Sequence, residues 1–268
     1  MLFDVVIGFV GSVLIAGFSI KKGLLTAWGA VLSVATGTLY GLFGSWRLWV
    51  LLILFFLSAN LISRLRDRYF PSDGKMKKDS PRNAYQVLCN SLPALIGGAL
   101  FFFTGTRLYL VIACGAIAAA AADTWASEIG ILSRRLPVSI LTGRPMGKGL
   151  SGGVSALGLF CTLLGSAFIA LAALLLYGHA LLFRETQWNA FSLIAVCGVF
   201  GSIIDSFLGA TVQAKFRCAD TDVIVEKRLP GEGCALVSGI AWVNNDLVNV
   251  ASGLIACVLC ILLGRPAL

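Results

Sequence analysis

Charge is scarce in this chain. Only 13% of its 268 residues are Asp, Glu, Lys or Arg, 58% are hydrophobic, and the mean hydropathy is +0.89. A water-soluble domain carries about 25% charged and about 45–50% apolar residues. The deficit excludes a disordered chain, a nucleic-acid-binding tail and an ordinary soluble enzyme. Histidine is almost missing: His179 falls in a loop, and no chemistry is assigned to it. The 8 cysteines make no disulfide pattern. Cys89, Cys114, Cys161, Cys197, Cys257 and Cys260 lie in apolar runs, where cysteine packs as a small hydrophobe. Cys218 and Cys234 lie in a loop expected to meet a reducing compartment. Cys257-x-x-Cys260 has the spacing of half a metal site, but it has no partner pair. The first apolar run lacks a basic stretch before it and has Lys21-Lys22 behind it, so it is expected to be a retained span, not a cleaved leader.

What the chain does have is a succession of long apolar runs. A membrane span needs about 20 mostly apolar residues. Eight stretches qualify: 2–20, 24–43, 46–63, 85–103, 108–126, 151–177, 191–212 and 239–263. The expected fold is an all-α polytopic membrane helix bundle forming one integral membrane domain over 1–268. Three N-terminal spans occupy 1–63, and a five-span core occupies 82–263. The net charge of +8, from 21 Lys and Arg against 13 Asp and Glu, is read as loop bias and not as a nucleic-acid footprint. All of the Lys and Arg except Arg47, Arg107, Arg184 and Arg265 fall on one side of the span pattern. The positive-inside rule then puts loops 64–84, 127–150 and 213–238 in the cytoplasm and both termini outside, in a plasma or inner membrane. The basic loop 64–84, with Lys75, Lys77 and Lys78, suits either anionic headgroups or an incoming phosphate. Trp28, Trp46, Trp49, Trp125 and Trp188 are expected in an interfacial aromatic belt.

Ionisable groups inside a span are costly and point to function. Asp123 and Glu128 come at the end of the fifth span, Asp205 about seven residues from the end of the seventh, and Asp246 about seven residues into the eighth. That depth is about 10 Å at 1.5 Å per residue. Four carboxylates in one layer, with no Lys or Arg in the same spans, suggest a shared Mg²⁺ held with phosphate; protonated acids joining helices are the alternative. Asp123 and Glu128 are about 140° apart on an ideal helix and converge only if the helix ends or bulges between them. Ser127 shares the Asp123 face. Asn245 and Asn249 share a face beside Asp246, Ser202, Asp205 and Gly209 line another, and Arg82, Gln86 and Asn90 step by four into the fourth span. Gly198 and Gly201 would allow close helix approach.

Residues 142–153 read Thr-Gly-Arg-Pro-Met-Gly-Lys-Gly-Leu-Ser-Gly-Gly. The spacing fails both a P-loop and, lacking a βαβ unit, a dinucleotide fingerprint. The physics beneath those motifs survives. Glycine lets backbone N–H groups approach an anion, and a helix N-terminus adds a positive dipole end. Arg144 and Lys148 supply charge, and Ser151 is read as the helix N-cap. A flexible loop before a capped helix is the plainer reading.

Five motifs in order carry a family likeness: Gln86-Val-Leu-Cys-Asn90, Ala122-Asp-Thr-Trp-Ala-Ser-Glu-Ile-Gly130, Gly149-Leu-Ser-Gly-Gly-Val-Ser155, Gly201-Ser-Ile-Ile-Asp-Ser-Phe-Leu-Gly-Ala-Thr-Val-Gln213 and Asn245-Asp-Leu-Val-Asn249. Over roughly 82–257 the chain resembles the integral membrane family of phytyl-phosphate kinase and transmembrane protein 19. The spacing of Asp123, Ala126 and Gly130 also resembles CTP-dependent polyprenol kinases. Two positions depart from the family pattern: Ser91 follows Asn90 where relatives often have Gly, and Cys218 lacks a nearby second cysteine, which argues against zinc there.

The resemblance implies phosphoryl transfer from a nucleotide, CTP, to a prenyl monophosphate such as phytyl or geranylgeranyl phosphate, giving the diphosphate. Combined with the residue reading, it gives a set of expectations. Asp123, Glu128, Asp205 and Asp246 would serve catalysis and hold Mg²⁺. Arg144, Lys148, Gly149, Ser151, Gly152 and Gly153 would cradle nucleotide phosphates. Arg82, Gln86, Asn90, Asn245 and Asn249 would bind the acceptor, with its tail between the fourth, seventh and eighth spans. A prenyltransferase would need a second Asp-rich cluster beside Asn245-Asp246-x-x-Asn249, and a carrier would need mid-membrane polar groups and an outward path.

Overall fold

Hydropathy sets most of the architecture. The computed structural model describes residues 1–69, 81–181, 187–218, 223–227 and 233–264. Within these, seven helices are long and apolar enough to cross a bilayer. They are α1 (Leu2–Lys21), α2 (Ala27–Tyr69), α3 (Ala84–Thr104), α4 (Arg107–Gly130), α5 (Ala156–Tyr177), α6 (Gln187–Thr211) and α7 (Asn245–Gly264). Lys75, Lys77, Lys78, Arg184, Arg228 and Arg265, and the side chains of His179 and Trp188, lie outside the described residues.

The structure has seven such helices where the sequence suggested eight spans, and the difference lies in α2. Its 43 residues would run about 65 Å if straight, twice the thickness of a hydrocarbon core. At Ser45 the backbone leaves the helical region, with φ +68° and ψ 172°. The chain then folds back. Ser12 of α1 touches Gly37 before the break and accepts a 2.8 Å hydrogen bond from Trp49 Nε1 after it. The Tyr177 hydroxyl donates to the Gly44 carbonyl and steadies the reversal. Stretches 24–43 and 46–63 are therefore the two arms of one element.

At the centre stands α4, whose run from Leu110 to Ala122 is almost wholly buried and rich in alanine. It packs against α2, α3, α5, α6 and α7. Small side chains allow this closeness. A Cβ on Gly201 would meet Ala119 Cβ at 2.3 Å, and one on Gly198 would meet Ser166 Oγ at 2.1 Å. The spanning cysteines are buried and free, packed as expected. Trp49 is held by Ser12, and the Trp125 ring lies stacked 5.3 Å from that of Phe168.

One end of the bundle carries the polar elaboration, and there the all-α expectation needs an addition. Strand β1 (Val138–Ser139) pairs antiparallel with β2 (Gly153–Val154). Strands β3 (Lys215–Cys218), β4 (Ile224–Val225) and β5 (Cys234–Ser238) form a sheet in the order β4-β3-β5. Four expectations are corrected. The span expected at 151–177 begins at Ala156, because Gly149 and Gly152 take φ +80° and +88° and Gly153 is drawn into β2. Its N-cap is Ser155, not Ser151: Ser155 Oγ accepts from Gly158 N at 3.1 Å. The span expected at 239–263 begins at Asn245, capped by Asn244 Oδ1 on Leu247 N at 3.0 Å. This puts Asp246 in the first helical turn, not seven residues deep. Finally, the β3–β5 register sets Cys218 opposite Cys234, and the two form a disulfide, S–S 1.97 Å, where none was expected.

Candidate active site

Two helices aim carboxylates at one space. Asp123, from the last two turns of α4, and Asp205, near the end of α6, both line a cavity of about 250 Å³. Thr162 of α5 and Ser202 of α6 add hydroxyls 3.2 Å apart, and Ser127 follows Asp123 on its face. The roof is the glycine-rich loop: Lys148, Gly149, Ser151, Gly152 and Gly153 all line the cavity. It sits directly on α6, since a Cβ on Gly152 would fall 2.5 Å from Ala210 Cβ. A Cβ on Gly209 would lie 2.9 Å from Ser151 Cβ. Lys148 Nζ donates to the Ser133 carbonyl at 2.6 Å. Asn245 lines the same cavity from the start of α7.

Asp205 is 7% exposed and firmly held. Ser252 Oγ donates to its Oδ2 at 3.0 Å. Asn249, with its amide nitrogen turned toward α6, donates to the same oxygen at 3.0 Å and to the Asn245 carbonyl at 3.2 Å. The Asn249 amide also lies 3.4 Å from Asn90 Oδ1. Asn90, Asn249, Ser252, Asp123 and Asp205 line a second, smaller space of about 20 Å³. The two carboxylates thus form the wall between a large cavity roofed by glycines and a small one lined by asparagines.

The other expected residues lie apart. Glu128 follows Asp123 on an unbroken helix, which turns it away, and it pairs with Arg66 of α2. Both side chains are less than one-fifth exposed. Truncating either partner leaves a partly buried charge. Glu128→Gln and Arg66→Ala are each expected to lower the thermal midpoint in detergent by several degrees. The double variant should fall no further than the worse single, a non-additivity that marks a shared interaction. Asp246 sits at the α7 N-terminus, where the helix dipole favours an anion, with Gln86 beside it. It lines neither cavity, so the four carboxylates do not form one cluster. Arg144 is exposed at the β1–β2 turn, away from the cavity. Arg82 and Gln86 line a separate cleft with Asn90.

One residue escaped the sequence reading. Glu226, just after β4, reaches the cavity, where its carboxylate accepts from the Ser151 N–H and from Gln213 Nε2, the latter at 2.8 Å. The glycine-loop amide thus already holds an oxyanion. Glu226 sits in a polar loop with no hydropathy signal, and only its contacts identify it.

This donor set suits Mg²⁺ in one form. Among the described residues, no three His, Cys, Asp or Glu side chains are placed to hold a metal by themselves. Mg²⁺ is normally bound by one or two carboxylates, completed by water and substrate phosphates. Asp123 and Asp205, beside hydroxyls and a glycine loop, fit that pattern.

Fold and site define an integral membrane helix bundle with a polar, carboxylate-bearing site at one end. Comparison with known proteins then fixes the kinship: residues 10–257 match the model for the integral membrane protein DUF92, and the chain belongs to that family. This is the family the five motifs indicated, and it includes phytyl-phosphate kinases. The chain is 30% identical to Protein PGR of Arabidopsis thaliana, covering 93% of this chain and 92% of that one. It is 29% identical to an uncharacterized membrane protein of Methanocaldococcus jannaschii, over 73% and 77% of the two chains. It is 26% identical to another from Synechocystis, over 76% and 78%. No solved structure matches the chain.

Proposed function

We propose that this protein is a prenyl-phosphate kinase. It transfers the terminal phosphoryl group of a nucleoside triphosphate, CTP by resemblance, to an isoprenoid monophosphate such as phytyl or geranylgeranyl phosphate. The observation that carries the reading is the Asp123–Asp205 wall, with an anion-holding glycine loop on one side and an asparagine-lined space on the other. Phosphoryl transfer needs that layout: donor and acceptor oxygens roughly in line, with charge compensation between them.

In this mechanism the Ser151 amide and its neighbours in 149–153 receive nucleotide phosphate oxygens, which take the place of the Glu226 carboxylate. Lys148 offsets their charge. Asp123 and Asp205 would hold Mg²⁺, which would supply positive charge to the phosphates. Asn90 and Asn249 orient the acceptor phosphate. An acceptor oxygen bonds to the terminal phosphorus as the bond to the bridging oxygen breaks, giving prenyl diphosphate and nucleoside diphosphate. No proton needs to move, so no general base is required. Positioning and electrostatics supply most of the rate. The bias of basic residues supports a cytoplasmic site, where the Cys218–Cys234 disulfide would meet a reducing pool.

The test is label transfer from CTP, ATP and GTP to geranylgeranyl or phytyl monophosphate by purified protein in detergent with Mg²⁺. Labelled prenyl diphosphate that depends on Mg²⁺ is expected, with CTP the best donor. No labelled product with any nucleotide, in protein that melts cooperatively, would turn the reading to a prenyltransferase or a carrier.

A further inference from the structure

The kinase reading leaves one opening unexplained. A cleft of about 70 Å³ lies between α1, the two arms of α2 and the start of α3. We infer that this cleft holds the phosphate-proximal isoprene unit of the acceptor, so that the N-terminal helices form the tail site. The occupant's class rests on the kinase reading; the cleft's geometry does not.

Its walls are hydrocarbon, chiefly Leu25, Leu52, Phe55, Phe56 and Val87. Of the four hydroxyls that line it, Ser12 Oγ is taken by Trp49 Nε1 and the other three are turned back into their own helices. Ser33 donates to Ala30 O at 2.8 Å, Thr36 to Leu32 O at 2.9 Å and Ser91 to Leu88 O at 3.2 Å. They present carbon to the space, which therefore suits an alkyl or alkenyl chain better than a sugar or base. One end is polar, with Arg82, Gln86 and Asn90. Arg82 is fastened there: its N–H donates to Leu24 O at 3.0 Å, its carbonyl accepts from Thr26 N at 3.1 Å, and its guanidinium lies 5.8 Å from the Phe56 ring. A cationic, amide-bearing end on an apolar cleft matches an amphiphile with an anionic head.

Continuity gives the direction. Asn90 lines both this cleft and the small space that reaches Asp123 and Asp205. A head group at Asn90 would meet the carboxylate wall from the side opposite the glycine loop, as in-line transfer demands. Between the fourth, seventh and eighth spans, where the tail was expected, only the small space of about 20 Å³ is open. There Pro93 of α3 packs into α7 so tightly that a Cβ on Gly253 would lie 2.9 Å from its Cγ.

The experiment is photolabelling of the whole protein in lipid nanodiscs with a diazirine-bearing geranyl monophosphate, with adducts mapped by mass spectrometry. A diazirine phospholipid runs in parallel. The isoprenoid probe is expected to mark the α2 and α3 walls, including Phe56 and Val87, and the phospholipid probe is not. Ser33→Phe, which fills the cleft, should cut that labelling at least tenfold and raise the acceptor KM tenfold, with the nucleotide KM within twofold. If Ser33→Phe does not fold, Leu52→Ala decides, because widening the cleft should move the same acceptor KM and spare the nucleotide KM. Equal labelling by the phospholipid, adducts confined to α6 and α7, or an unmoved acceptor KM would overturn the inference. Cleft labelling without phosphate transfer from any nucleotide would support the tail site and sink the kinase reading instead.

Discussion

Asp205→Asn and Asp123→Asn are each expected to lower prenyl diphosphate formation by about a thousandfold, with both substrates saturating and melting midpoints within a few degrees of the parent. The size follows from removing a fixed charge aimed at a transferring phosphoryl group in a water-poor site, where single polar deletions cost about two to three orders of magnitude and an ion-binding charge costs at least as much. Fold preservation follows from shape. Asn is isosteric with Asp, and at position 205 it keeps an oxygen to accept from Ser252 Oγ. Asp246→Asn serves as the internal control. It lines neither cavity and sits at a helix N-terminus, so about a tenfold loss is expected, through its neighbour Gln86. Steady-state kcat for the three variants, beside thermal unfolding, is the measurement. Equal losses at Asp246 and Asp205 would return Asp246 to the carboxylate site from which the geometry separates it.

Gly152→Val is expected to abolish measurable transfer and lower the melting midpoint together. At φ +88° a β-branched residue is strained by about 1–3 kcal/mol. The new side chain would also overlap α6, with its Cβ 2.5 Å from Ala210 Cβ and 2.7 Å from Ala210 Cα. Overpacking adds a further cost of about 1–3 kcal/mol. The loop can relieve both only by lifting off α6, which takes the Ser151 N–H out of the cavity. Gly147→Ala is the contrast. Its backbone needs no positive φ, and a Cβ there would meet nothing closer than Leu150 Cδ1 at 3.4 Å. Near-parental activity and stability are expected of it. Nucleotide binding by calorimetry on both variants separates a lost cradle from a merely loosened fold. Parental binding by folded Gly152→Val would remove the loop from the nucleotide site.

The helices were legible because hydropathy is a local property, and runs such as 85–103 and 108–126 need no distant partner to be recognised. Their starts were less so. Residues 151–155 and 239–244 carry no Asp, Glu, Lys or Arg, so charge does not mark them off from the helices that follow. What stops them from being helical is a strand partner at Val138 for one and a bridge from Gln213 to Ile240 for the other. The same reason explains the carboxylates. Periodicity put Ser202 with Asp205 on one face and Gln86 with Asn90 on another, since a helical face is fixed within one turn. It could not say that Glu128 answers Arg66, 62 residues earlier in the chain, or that Glu226 bends over the glycine loop. Depth failed for Asp246 because it was counted from a helix start that the backbone does not use. The disulfide escaped for want of register: only the β3–β5 pairing brings positions 218 and 234 face to face.

The glycine-roofed cavity and the cleft at Arg82 differ in their surroundings. The first lies among the polar loops, and the second lies between apolar helices. On the proposed reaction, the two reactants are therefore counted in different units. The nucleotide's activity is set by its molarity in water, and the acceptor's by its mole fraction in the bilayer. At fixed amounts of enzyme and both reactants, adding inert phospholipid should slow turnover by surface dilution, whereas a change of aqueous volume at constant nucleotide molarity should leave it unchanged. A cell could then control such an enzyme through the composition of one membrane, without altering any soluble pool.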